Sequence, residues 1–266
     1  MQPIRGFKPY SAAVGLRYNR SFCIHNVGGV ITDYVLGEAG APGTPLPKDF
    51  YDQTAIGPDR TDLTGKKGTR RLTITGDNLL ICERSIALDE TPPNFTNVIA
   101  RADHLFPDIL AYLQEPKLTL LGLVWHGVMA PDDSTTRYAH PAAQYLFTHL
   151  SKVVLTKNEF LADVSVRFAF RRRMSEGLVH KDINDYYNII IQFAESKTSA
   201  LWPPEERPEF EGEAEEPAYV VLIADIQHVL DPARPFDRDL LRSHCRDAEK
   251  ILRDRVSSLL GELGLG

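Results

Sequence analysis

The run KLTLLGLVWHGVM, from Lys117 to Met129, leaves neither side of a strand fully polar, because apolar residues fall on both alternating faces. A strand with one wet face alternates apolar with polar, so this pattern predicts a strand in the interior of a sheet. The rest of the chain must supply its neighbours and its cover.

From Ala12 to His25 the sequence sets Val14, Leu16, Tyr18, Phe22 and Ile24 against Arg17, Asn19, Ser21 and Cys23, the period-two signature of a strand with one buried face. With Asn26 as the expected N-cap, Val27, Val30, Ile31, Tyr34 and Val35 recur at helical spacing until Gly37 closes a short helix. Residues 38–68 are rich in Gly, Pro and Asp and lose periodicity, which predicts a long loop. TRRLTIT and NLLICERSI flank Gly76 and Asp77, predicting strands over 69–75 and 78–86 joined by a tight hairpin. Phe95, Val98, Ile99, Ala102, Leu105, Phe106, Ile109, Leu110 and Leu113 form one helical stripe, with a bend expected at Pro107.

Beyond a polar loop over 130–138, Pro141 starts a predicted helix to about Ser151. Strands follow at 161–173 and 185–195, then the Pro/Glu-rich run WPPEERPEFEGEAEEP, a strand over 219–230, and a helix from Asp237 to about Leu263. These elements predict an α+β fold of mainly antiparallel sheet packed by long helices. They also suggest two duplicated strand-helix-strand-strand-helix halves, 1–115 and 116–266, with GLRY at Gly15 matching GLVW at Gly122 in position.

With 266 residues, 43% of them hydrophobic, the chain has enough apolar material for one large core or two packed halves. A net charge of −6 argues against a general nucleic-acid coat, whose affinity comes from Lys and Arg neutralising phosphates. Cys23, Cys82 and Cys245 show no CxxC or Cys/His spacing, so thiols in a reducing cytoplasm are expected and no zinc site. No apolar leader or membrane-length run is present, so the expected setting is cytoplasmic, without a membrane.

No catalytic motif emerges. TDLTGKKGTRR has Lys67 where a phosphate loop needs its hydroxyl, and Gly28-Gly29 lacks dinucleotide spacing. His126 and His228 sit among apolar neighbours on their strands, so each is expected to be a core histidine with a buried partner. Metal and cofactor are both expected to be none, because no HxH, HExxH or HxxxH spacing presets a ligand set.

The remaining signal is a polar strand face. Alternating with the apolar set are Arg167, Arg171 and Arg173 (with Asp163 and Ser165), Asn188 and Gln192, and Asp225 and Gln227, to which the first strand adds Arg17, with Asn19 and His25 beside it. Arginines suit carboxylate or phosphate, so this face is the candidate binding surface. The terminal helix carries Leu241, Cys245, Ala248, Leu252, Val256, Leu259 and Leu263 at heptad-like steps, either laid on its own sheet or forming a dimer seam.

Several of these elements resemble a sporadically distributed family of uncharacterised bacterial proteins, in which an FxxIxxxLxxL helix leads into a GLRYINRI-like strand. Phe95 to Ile99 and Ile109 to Leu113 resemble that helix, Gly122, Leu123 and Pro131 the strand and its exit, and Asp225 a later aspartate. Val124, Trp125 and His126 depart from the family's strand. The resemblance implies an α+β fold and no known reaction.

The expected function is a nonenzymatic protein-interaction or assembly protein, with a protein partner or a second copy of itself. An alternative is RNA binding or processing, through a ferredoxin-like first half and Arg70, Arg71, Arg171, Arg172 and Arg173. A weaker one is a hydrolase using His126 with Asp132 or Asp133.

Overall fold

A computed structural model describes residues 7–66, 68–85, 93–129, 165–173, 184–197 and 218–262. Its elements are β1 (Lys8–Tyr18), α1 (Ile24–Glu38), β2 (Gln53–Ile56), β3 (Arg60–Gly65), β4 (Arg70–Thr75), β5 (Asn78–Arg84), α2 (Phe95–Tyr112), β6 (Leu118–Met129), β7 (Ser165–Arg173), β8 (Tyr186–Lys197), β9 (Ala218–Arg234) and α3 (Arg238–Glu262). The strands join in one nine-stranded sheet in the order β2-β3-β4-β5-β1-β6-β9-β8-β7. Every pairing is antiparallel, which gives an α+β architecture.

The doubly apolar run is β6, seated between β1 and β9. Leu121, Leu123 and Trp125 are buried on its helical side, whereas Leu120, Val124 and His126 on the other side are half-buried. Rows of core residues cross the sheet at right angles to the strands, as in Val14–Leu123–Ile226–Ile189 and Ala12–Trp125–Ala224–Ile191. Gly15 and Gly122 lie directly opposite one another in the central β1–β6 pair.

The three helices among the described residues cover one face of the sheet. Gly28 lets α1 approach β3 closely, since a Cβ there would lie 2.7 Å from Thr61 Oγ1. The Asn94 side chain caps α2 by accepting the Thr96 N–H at 3.0 Å, and the helix continues through Pro107. Along α3, Leu241, Cys245, Ala248, Leu252, Val256 and Leu259 are buried within the same chain. That burial removes the dimer-seam reading of this stripe, because the apolar surface a second copy would need is already covered.

The sequence reading differs from the structure in three places. The first strand ends at Tyr18 and α1 begins at Ile24, with Cys23 rather than Asn26 at its N-cap, so the alternation over 20–25 belongs to a turn and a helix. The segment 38–68 contains β2 and β3, whose side chains are mostly polar or exposed and therefore carry no apolar alternation. With these two strands the first half does not have the six-element order of a ferredoxin-like fold. The helix expected over 141–151 lies outside the described residues. Among the described residues, no helix is long and apolar enough to cross a membrane.

Candidate interaction surface

The cross-strand registers place Arg17, Arg167, Arg171, Arg173, Asn188, Gln192, Asp225 and Gln227 on the face opposite the helices. Two rows define its centre. Arg171 stands beside Asn188, Gln227 and Gly122, and Arg167 beside Gln192, Ile223 and His126. Alternation along each strand chooses the face, and antiparallel register then brings residues far apart in sequence side by side.

Several of these groups are held. The Arg171 guanidinium lies over the Tyr186 ring at 4.5 Å, and its Nε donates to Asn188 Oδ1 at 3.4 Å. Gln192 Nε2 donates to Ser165 Oγ at 2.8 Å, and Gln227 Nε2 to Asp225 Oδ2 at 2.6 Å. Burial pushes the Asp225 carboxyl above its ordinary pKa, against the pull of Gln227, Arg17 and Arg167. Asn19 and His25 are not part of β1: Asn19 lies in the bend after it, and His25, on α1, pairs with Asp59 at 3.1 Å. Asp163 lies outside the described residues.

The same registers add Arg60, Arg71 and Arg84, and one further acid, Asp62, which accepts from Arg60, Arg71 and Thr73. On the helical side both signs are mixed: Glu38, Asp103, Asp108, Asp247 and Glu249 stand there with Arg238, Arg242, Arg246 and Arg253 of α3. A chain of net charge −6 thus presents a sheet face on which arginines outnumber acids.

The arginines named for RNA do not converge. Arg70 and Arg71 are on β4 and Arg171, Arg172 and Arg173 on β7, six strands away, or about 29 Å at the usual strand spacing. Arg70 turns to the helical side over Phe50 at 4.4 Å.

His126 lies between Ser11 and Ile223, and burial holds its imidazole below the ordinary pKa. Its expected companions Asp132 and Asp133 are outside the described residues. His228 has the buried partner expected of it: Nε2 lies 3.0 Å from Asp185 Oδ2, and the same carboxylate pairs with Arg234. Sequence alone gave no sign of what surrounds it, a stack of His228, Tyr187 and His244 under α3. Among the described residues, no three His, Cys, Asp or Glu side chains are grouped to hold a metal ion.

No protein-family model matches the chain, and no curated protein matches it.

Proposed function

We propose that this is a nonenzymatic interaction protein whose working surface is the open face of the sheet, and that its partner is an acidic protein. The observation that carries this reading is the concentration of arginines on that face of an otherwise acidic chain. Complementary charge steers encounter and fixes register, and guanidinium forks pair bidentately with carboxylates. Strands β1, β6, β9, β8 and β7 together span roughly 24 Å by 34 Å, or about 800 Å², which matches one side of a standard protein interface.

Single-stranded RNA is served less well. Sheet-face RNA readers stack bases on exposed aromatic rings. Here the Tyr186 ring is already covered by Arg171, and Tyr10 is buried with Val128 and Val221.

The strand order also supports the reading of two repeated halves. From the central β1–β6 pair the sheet runs outward through β5, β4, β3 and β2 on one side and β9, β8 and β7 on the other. Each half thus places its first strand at the centre and its last strand next to it.

Native mass spectrometry of the protein from its own host tests the proposal. The expected result is a defined protein assembly that survives nuclease and is lost on joint substitution R167E/R171E/R173E, with the monomer's thermal midpoint unchanged. A nuclease-sensitive mass, or an assembly indifferent to the charge reversal, would overturn it.

A further inference from the structure

We propose that the acidic partner enters as an extended strand added to the β7 edge of the sheet, with acidic and apolar residues alternating along it. This rests on the reading of the open face as the working surface. β7 is the last strand of the sheet, and among the described residues nothing pairs with its outer side. An unpaired strand edge offers a row of backbone donors and acceptors, the template used in β-augmentation. The opposite margin is closed by the chain itself, with the four-residue β2 antiparallel on β3 in a hairpin.

The side chains of β7 specify what the added strand carries. Arg167, Arg171 and Arg173 stand on the open face, so residues beside them on a new strand meet guanidinium and should be acidic. Val166, Phe168 and Phe170 lie on the helical side and are only half-buried, so the intervening residues should be apolar. Arg171 is already positioned by Tyr186 and Asn188, which reduces the ordering that binding requires.

A second copy of this chain is a poor occupant. The two-fold antiparallel register that pairs all nine residues of β7 with themselves is centred on Ala169, and it sets Arg167 directly opposite Arg171. Like charges in that position repel.

The probe is an acetylated nonapeptide alternating glutamate with valine, titrated against the full chain while amide hydrogen exchange is followed. Protection should rise across residues 165–173. A peptide N-methylated on its β7-facing amides should bind weaker by roughly two- to tenfold for each donor removed, and R171Q/R173Q should weaken the unmethylated peptide. Equal binding of the methylated peptide, or binding lost in R17E with β7 exchange unchanged, would overturn the edge while leaving the open-face reading standing. No binding of the peptide, or β7 protection that grows with protein concentration alone, would likewise overturn it. The wider reading fails separately, if the native assembly ignores the open-face arginines.

Discussion

His244 should make the fold acid-sensitive. Its side chain is 1% exposed, neither ring nitrogen has a hydrogen-bond partner, and it stacks on Tyr187 at 5.9 Å. Burial, with a smaller contribution from His228, lowers its pKa to about 3. Around it lie His228, Tyr187 and Asp185 from the sheet side and Cys245 and Asp247 on α3. A folded-state pKa below the unfolded value of about 6.5 means that the unfolded chain takes up the proton first, so stability falls as pH drops through that value and continues to fall to the folded pKa. Between pH 7 and pH 5 the unfolded imidazole becomes almost fully protonated and the folded one does not, a loss of about 2 kcal/mol from this group. His228, also lowered chiefly by burial, adds to the loss in the same direction.

The assay is urea unfolding of wild type and His244→Leu at both pH values, with the m-value checked for two-state behaviour. Leucine replaces the imidazole with an apolar side chain of similar size and removes two unpartnered polar atoms, so the variant should gain about 1–3 kcal/mol at neutral pH. Its acid loss should be smaller than the wild type's by about 2 kcal/mol. Equal acid losses in the two proteins would refute the assignment of a buried neutral imidazole. A variant less stable at neutral pH would refute the claim that the ring is unpartnered.

Two further substitutions probe packing. Arg101 on α2 is buried, donates to the Pro45 carbonyl at 3.1 Å, pairs with Glu83 and lies over Phe50 at 4.3 Å. Arg101→Ala strands the Glu83 carboxylate and should cost about 3–5 kcal/mol in urea titrations, whereas R101M/E83Q should recover most of it; equal losses would show that the charge is unimportant. At Gly127 a Cβ would sit 2.2 Å from Trp125 Cη2 and 3.0 Å from Phe7 Cβ. Gly127→Ala should therefore destabilise by about 1–3 kcal/mol, and a thermal midpoint within error of wild type would mean that the tryptophan repacks freely.

Much of the sheet was legible because burial leaves a period in the sequence. β6 was readable from its doubly apolar run, and β4, β5, β8 and β9 from alternation bounded by turn residues. β2 and β3 were not, since QTAI is exposed throughout and RTDLTG buries only Thr61, Leu63 and Gly65. The boundary between β1 and α1 slipped because Phe22 and Ile24 fit a strand period and Ile24 also fits the helical set Ile31 and Val35. A local period cannot decide between them; the contact of Gly28 with Thr61 on β3 does.

The candidate surface was half legible for the same reason. Period two assigns Arg167, Arg171 and Arg173 to one side of their strand, but it says nothing of which strands lie next to it. That depends on register between segments far apart, such as Arg171 with Asn188 and Asn188 with Gln227. The His228–Tyr187–His244 stack was hidden by the same limit, its members coming from β9, β8 and α3. The position of β7 at the margin was equally invisible, and it changes the meaning of its arginines. On an interior strand they would only decorate a solvated face. At the margin, where among the described residues nothing pairs with the outer side of β7, the same arginines would favour an acidic strand over a second copy.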